Sequence, residues 1–261
     1  MRCIFCRSDS STSRSVEHIV PESLWNTQSV LPPGVVCDSC NNYFARKVEK
    51  PFLESPSIAQ LRFAEAIPNK RGRIPASNGI LNPKFPVKVY RESEGQFSAS
   101  IVAPPEAIRY LLKQERGTLV FPAELPLPSD RVVSRFLAKM AIEALALRLI
   151  DHSDGIDYIG SERQLDELRN YARRGQPSSW PYHSRRIYRS DRPLQDSDGN
   201  SCQTVHEFDF LVTPQGEWYF VFALFGLELA INLGGPEIDG YLNWLRENSD
   251  ASPLYWGKNR G

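Results

Sequence analysis

Two Cys-x-x-Cys pairs near the start of the chain constrain its fold more than any other feature of the sequence. The pairs are Cys3-x-x-Cys6 and Cys37-x-x-Cys40. Each pair can present two thiolates from one tight turn, and two such turns complete a tetrahedral four-thiolate zinc site. That site has no open position, so the zinc is predicted to be structural. A redox Cys-x-x-Cys motif would occur once, between a strand and a helix, and unligated thiols are the remaining alternative.

The segment that carries these pairs is too short to fold on hydrophobic burial alone. It is rich in serine, cysteine and turn-forming residues, and a domain of this size usually needs a metal or disulfide staple. Prolines at Pro51 and Pro56 predict a boundary. We therefore expect a zinc-stapled domain over residues 1–55 and a second domain over residues 56–261.

The residues between and directly after the pairs carry a family resemblance. Glu17-His18-Ile19-Val20-Pro21 lies between them, and Asn41 follows the last cysteine, with Phe44 to Glu49 trailing behind it. This arrangement resembles the HNH endonucleases of the ββα-metal superfamily, in the branch that has Glu-His in place of Asp-His. The resemblance covers residues 3–52. It implies a small ββα-metal domain, stapled by zinc, ahead of a second domain of unrecognised fold.

The resemblance also implies a role for each residue of the motif. His18 would be the general base, and Glu17 and Asn41 would bind a catalytic divalent ion, Mg²⁺ or Mn²⁺, with Asn42 as the alternative to Asn41. Phosphodiester hydrolysis needs an activated water and a cation near the phosphate, and a histidine can activate the water near neutral pH. The simpler alternatives are that His18 is a core or surface histidine, that Glu17 is a surface carboxylate, and that Asn41 only caps a helix.

One departure from the family pattern concerns the helix that follows the last cysteine. The family has a histidine late in this helix, and Glu49 occupies that region here. Eight helical residues would separate Asn41 from Glu49 by about 12 Å along the axis, so Glu49 is predicted to support the site, with metal ligation as the alternative. The hairpin before the helix is predicted from strands at residues 16–19 and 34–36, and the helix at 39–50.

The rest of the chain is predicted to form an α+β domain, because helical and alternating patterns follow each other. Its predicted elements are helices at 57–67, 104–116, 129–150, 161–174 and 236–247, a hairpin over 85–103 with its turn at Glu94-Gly95, and strands at 204–213, 217–224 and 227–233. Residues 175–201 are polar and turn-rich. The fold class is therefore α+β.

Arginines are dense between residues 163 and 192, with aromatic residues among them. Basic and aromatic groups together suit phosphate contact and base stacking, and we expect Arg173, Arg174, Arg185 and Arg186 to contact nucleic acid. A solvated polar face is the alternative. The formal net charge of the chain is zero, so any basic surface must be local.

The sequence as a whole predicts an endonuclease that cuts DNA, expected to be double-stranded, with the second domain targeting or gating cleavage. Two alternatives stay open: a nuclease effector switched on by a ligand or partner protein, and a non-catalytic zinc-ribbon module that only binds nucleic acid. No apolar run reaches the length of about 18 residues that spans a bilayer, and the first residues lack a signal-peptide pattern. A cytoplasmic protein is expected, and its oligomeric state is left open.

Overall fold

The chain forms two compact units in a computed structural model. The structure describes residues 1–69, 71–81, 84–91, 99–122, 125–190, 192, 194–195, 198, 200–202 and 204–258. Unit 1 comprises residues 1–21, 26–50 and 129–261, and unit 2 comprises residues 22–25 and 51–128. These compact units do not coincide with the two domains expected on either side of residue 55. Where the nuclease-like segment ends therefore stays a prediction. No helix in the described ranges combines the length and apolarity that a membrane crossing requires.

The secondary structure combines helices with antiparallel sheets, which confirms the α+β class. The strands are β1 (Glu17–His18), β2 (Val30–Leu31), β3 (Ser77–Leu81), β4 (Phe85–Arg91), β5 (Ala99–Val102), β6 (Leu119–Val120), β7 (Tyr182–Arg186), β8 (Leu194–Gln195), β9 (Ser201–Cys202), β10 (His206–Val212), β11 (Trp218–Leu224) and β12 (Leu227–Asn232). The α-helices are α1 (Asp38–Phe44), α2 (Lys50–Leu53), α3 (Pro56–Ala64), α4 (Pro105–Gln114), α5 (Asp130–Arg148), α6 (Gly155–Ser161), α7 (Asp166–Arg174), α8 (Asp239–Glu247) and α9 (Tyr255–Lys258).

The N-terminal part of unit 1 has the order β1, β2, α1. The strands pair antiparallel, with Glu17 opposite Leu31 and His18 opposite Val30. The second strand expected at residues 34–36 is wrong. Gly34 has a φ of +96°, a turn conformation that favours glycine, and the Val35 carbonyl accepts a hydrogen bond from the Ile4 N–H at 3.0 Å. That stretch therefore belongs to the zinc knuckles rather than to the hairpin.

A four-stranded antiparallel sheet, in the order β10-β11-β12-β7, forms the other half of unit 1. Side chains alternate between its two faces because the strand period is two. On one face Phe222 meets Phe136 of α5, with ring centroids 6.4 Å apart. On the other face Tyr219 meets Tyr241 of α8 at 5.5 Å. The three strands predicted over 204–233 are confirmed, and β7 is an additional strand within the turn-rich stretch.

Helix α5 lies at the centre of unit 1. It contacts α6, α7, β2, β11 and β12, and the helix predicted over 129–150 is confirmed as Asp130–Arg148. The single helix expected over 161–174 is instead a 3₁₀ turn at Arg163–Leu165 followed by α7, while α6 ends at Ser161. The Glu162 carboxylate caps that turn by accepting from the Gln164 N–H at 2.9 Å.

Unit 2 contains α3, α4 and the antiparallel sheet β5-β4-β3-β6. Its core is formed by Phe63, Leu81, Val87, Val89 and Ala107. The hairpin predicted over 85–103 has β4 paired with β5, while its predicted turn at Glu94-Gly95 lies outside the described residues. The strands β3 and β6 were not predicted.

Candidate active site and zinc centre

The four N-terminal cysteines converge on one point. Cys37 caps the start of α1 and Cys40 lies in its first turn, while Cys3 and Cys6 lie in the turn at the chain start. Their Sγ atoms all lie within 4.8 Å of one another, and Cys6 Sγ is 3.6 Å from Cys37 Sγ. A tetrahedron with Zn–S bonds near 2.3 Å has S–S edges of about 3.8 Å, so the four thiols fit a structural zinc ion.

The four thiols influence one another's ionisation. A hydrogen bond from Cys40 lowers the pKa of Cys3 to about 4, while the Cys3 thiolate raises the pKa of Cys40. Burial raises the pKa of Cys37. One ionised thiol thus opposes ionisation of its neighbours, and a divalent ion removes this repulsion because it binds thiolates directly.

The first knuckle is anchored by an arginine from α7. Arg169 Nε donates to the Ile4 carbonyl at 2.8 Å, and its Nη1 pairs with Asp166 at 2.6 Å. The Arg169 side chain is only 4% exposed. Because a buried guanidinium needs its donors satisfied, these contacts fix the knuckle against α7.

The predicted base, His18, is half-buried on β1. Its Nδ1 atom is buried and has no hydrogen-bond partner among the residues that the structure describes. The preceding residue, Glu17, is buried, whereas the His18 side chain is partly open to solvent. The imidazole of His18 thus has one ring nitrogen without a structural hydrogen bond.

The Glu17 carboxylate forms an ion pair with a lysine that lies far along the chain. Lys139 Nζ, on α5, is 2.7 Å from Glu17 Oε1, 2.7 Å from Glu49 Oε1 and 2.9 Å from Glu143 Oε2. It also donates to the His18 backbone carbonyl at 3.0 Å. We call Lys139, Glu17, Glu49 and Glu143 the Lys139 cluster. It places three carboxylates around one ammonium.

The Lys139 cluster is buried and contains more acidic groups than basic ones. The Lys139 side chain is fully buried; burial alone would lower its pKa, but Glu143 and Glu17 raise the pKa well above the usual range. Burial raises the pKa of Glu17 despite the opposing effect of Lys139, and it raises the pKa of Glu143 in the same way. Lys139 therefore stays charged, while the surplus carboxylates resist ionisation.

Some carboxylate oxygens of the Lys139 cluster lack hydrogen-bond partners. Within the described part of the chain this holds for Glu17 Oε2 and for Glu143 Oε1, while Glu143 Oε2 is paired with Lys139 Nζ at 2.9 Å. Glu17 Oε2 thus fits a site for a proton or a cation, because a buried unpaired oxygen is otherwise unfavourable.

Asn41 lies in the first turn of α1 and is linked to the strand that carries His18. Its Nδ2 donates to the Val16 carbonyl at 2.9 Å, so the amide holds the residue directly before Glu17. The neighbouring Asp38 carboxylate accepts from the Ser15 N–H at 2.9 Å. Glu17 and Asn41 together offer carboxylate and amide oxygens, the hard donors that Mg²⁺ and Mn²⁺ prefer.

Glu49 reaches the Lys139 cluster through an irregular helical turn. Residues Ala45–Glu49 form a π-helix between α1 and α2, in which the Lys50 N–H bonds to the Ala45 carbonyl. Such turns often occur at functional sites. In the structure Glu49 is an ion-pair partner of Lys139, and its role at the site stays a prediction.

The four arginines predicted to contact nucleic acid are in two different environments. Arg173 and Arg174 form the end of α7, where Arg173 is half-buried and Arg174 exposed. Arg185 and Arg186 lie on β7 and bond within the protein. Arg185 Nε is 2.5 Å from Glu228 Oε1, and Arg186 Nη1 donates to the Phe225 carbonyl at 2.9 Å. Arg185 and Arg186 thus use guanidinium donors inside the protein, and contact of the four arginines with nucleic acid stays a prediction.

Sequence reasoning missed Lys139, although a signal was present. Lys139 and Glu143 stand one turn apart inside the apolar run Phe136-Leu-Ala-Lys-Met-Ala-Ile-Glu-Ala-Leu. Charged residues on the buried side of a helix must be paired. The acidic residues of the predicted site, Glu17 and Glu49, were therefore candidate partners for Lys139.

Comparison with known families supports the N-terminal geometry. Residues 3–57 match the model of a family described as HNH endonuclease, which confirms the resemblance inferred from the motif. The match supports a nuclease of the HNH type. Searches of curated proteins and of solved structures gave no significant match.

Proposed function

We propose, starting from the HNH match over residues 3–57, that the protein is an endonuclease that hydrolyses phosphodiester bonds of double-stranded DNA with His18 as general base. The observation that carries the proposal is the His18 imidazole, whose buried Nδ1 lacks a hydrogen-bond partner in the described structure. A histidine with a purely structural role would be expected to use its buried nitrogen in a hydrogen bond. We infer that this nitrogen takes up the proton during cleavage.

The residues around His18 suit the rest of the reaction. Glu17, through its unpartnered Oε2, and Asn41, through its amide oxygen, would hold a divalent ion, which would neutralise charge on the phosphate. His18 takes a proton from the attacking water as the water oxygen bonds to phosphorus. The bond from phosphorus to the leaving sugar oxygen breaks, and that oxygen takes a proton from solvent water and leaves as an alcohol, while the proton on His18 returns to solvent.

The test is cleavage of plasmid DNA with Mg²⁺ or Mn²⁺. His18→Ala should lower the rate by about 10² to 10⁴, the usual cost of removing a general base, while zinc content and circular dichroism stay unchanged. His152→Ala is the matched control, because His152 is exposed, and it should cut like the wild type.

Two outcomes would contradict the proposal. His18→Ala activity within about threefold of wild type, far inside the usual range, would show that His18 is not the base. A wild-type protein that binds DNA but does not cut it with either ion would favour the zinc-ribbon binding module.

A further inference from the structure

We propose that Lys139 is a positioning residue for the nuclease site. It lies on helix α5, outside residues 3–57, which match the family. Its ammonium fixes the carboxylate of Glu17 and the backbone carbonyl of His18 together. The inference rests on the proposed function, because it assigns Lys139 a task only if Glu17 and His18 are used in cleavage. The matched segment ends at residue 57, so the segment does not itself contain this cation.

The contacts of Lys139 are directed at the strand that carries the motif. One contact is to a side chain, Glu17 Oε1 at 2.7 Å, and one is to the main chain, the His18 carbonyl at 3.0 Å. A third, to Glu49 Oε1 at 2.7 Å, reaches the end of the helix that begins with the zinc-binding cysteines. One buried ammonium thus joins strand and helix, the two elements that hold the proposed base and metal donors.

Lys139 also determines which oxygen of Glu17 stays available. Oε1 is paired with the ammonium, while Oε2 has no hydrogen-bond partner among the described residues. Without the ammonium the carboxylate could rotate, and either oxygen could be used. Lys139 therefore holds one defined oxygen of Glu17 ready for a ligand.

Stability alone does not explain such a cluster. Replacing a buried ion pair by apolar residues of similar size is often neutral or stabilising. Lys139 is fully buried among three carboxylates, and Glu143 Oε1 has no hydrogen-bond partner in the described structure. A packed apolar residue would serve the core of α5 equally well, so the geometric role is the better account of a lysine here.

The experiment compares Lys139→Met with a matched variant, Arg135→Met, in the full-length protein. Arg135 is a second cation of α5; it bonds to the Ala172 carbonyl at 2.9 Å and to Tyr43 Oη at 2.8 Å, and does not contact Glu17 or His18. Steady-state plasmid cleavage is measured at saturating Mg²⁺, with zinc content and unfolding midpoint recorded for each variant. Lys139→Met should lower kcat by about 10²-fold, as expected for a site displaced by about 1 Å.

The expected pattern separates positioning from loss of folded protein. For Lys139→Met the KM for DNA should change by less than about threefold, because the lost interaction concerns the reacting groups rather than DNA binding. Arg135→Met should keep the wild-type kcat even if its unfolding midpoint falls as far. If Lys139→Met does not fold, the double variant Lys139→Met/Glu143→Met replaces the whole pair by apolar residues and should show the same fall in kcat.

The outcomes also separate this inference from the proposed function. If His18→Ala abolishes cleavage but a folded Lys139 variant cuts within about threefold of wild type, well inside the expected loss, the positioning role is wrong and the nuclease stands. Equal losses of kcat in the Lys139 and Arg135 variants would also overturn it. If the wild type does not cut, or His18→Ala cuts normally, the proposed function itself fails.

Discussion

Unit 1 contains two buried charge clusters that are built in opposite ways. The Glu228 cluster consists of Glu228, Arg185, Tyr241 and Ser252. The fully buried Glu228 accepts from Arg185 Nε at 2.5 Å and from Tyr241 Oη at 2.9 Å, while its other oxygen accepts from Ser252 Oγ. One carboxylate thus meets one cation and two hydroxyls, and both of its oxygens are bonded.

The Lys139 cluster has the reverse balance, with three carboxylates to one ammonium and oxygens that lack hydrogen-bond partners in the described structure. A fully bonded polar cluster makes the core more specific and rigid. An incompletely bonded one is costly and is often found where a proton or ligand is expected. The difference indicates that the Glu228 cluster serves the fold and the Lys139 cluster serves the site, and three predictions test this separation.

The largest effect should come from removing the zinc. Cys37→Ser breaks the four-thiolate site, whose metal contributes about 10–16 kcal/mol in small zinc domains. We expect no bound zinc, loss of cleavage, and rapid amide exchange in β1 and α1, whereas β11 and β12 beside the Glu228 cluster stay protected. Cys202→Ser is the control, because Cys202 lies outside the two Cys-x-x-Cys pairs. Slow exchange in β1 despite the loss of zinc would contradict this prediction.

The second effect concerns the Glu228 cluster itself. Glu228→Ala leaves Arg185, only 17% exposed at its side chain, without its carboxylate, and breaking a buried pair costs about 3–5 kcal/mol. Denaturant unfolding should show this loss, while kcat per folded molecule stays unchanged. Glu247→Ala, at an exposed position of α8, should change neither quantity. A fall in kcat for folded Glu228→Ala would show that the two clusters are not functionally separate.

The smallest effect should be seen in DNA binding. Because Arg185 belongs to the Glu228 cluster, we expect phosphate contacts from Arg173 and Arg174 rather than from all four predicted arginines. The double variant Arg173→Ala/Arg174→Ala should reduce the slope of log K against log salt by about 1.8, or 0.9 for each lost phosphate contact. Binding of labelled duplex at several salt concentrations measures this slope. An unchanged slope would make these arginines an ordinary solvated face.

The zinc ligands and the motif could be predicted from sequence because their signals are local. Cys3, Cys6, Cys37 and Cys40 converge as their spacing indicates, and the long apolar pattern of α5 predicts its bounds to within about two residues. The strand predicted at 34–36 was wrong because the β-branched pair after Gly34 suggests a strand. The contact that fixes this stretch, between Ile4 and Val35, is long-range and leaves no local signal in the sequence.

Which side chains meet at the site was harder to predict from the sequence. The family resemblance predicts site roles for Glu17 and His18. Their contact with Lys139 depends on how α5 packs, and pairing over that distance leaves no periodic signal in the sequence. The strand β7 was missed for a similar reason. Its sequence, Tyr-His-Ser-Arg-Arg, is polar, and it becomes a strand because it pairs with β12.

The hydrogen bond between Lys139 and the His18 carbonyl spans 121 positions of the chain, and this separation has a consequence for biosynthesis. A ribosome makes the motif first and Lys139 later; at about 5–20 residues per second the delay is roughly 6 to 24 seconds. During that interval the zinc knuckles can already bind metal, but β1 lacks the contact that holds Glu17 and His18. The four cysteines are therefore all present in the nascent chain before the contact that holds β1 can form.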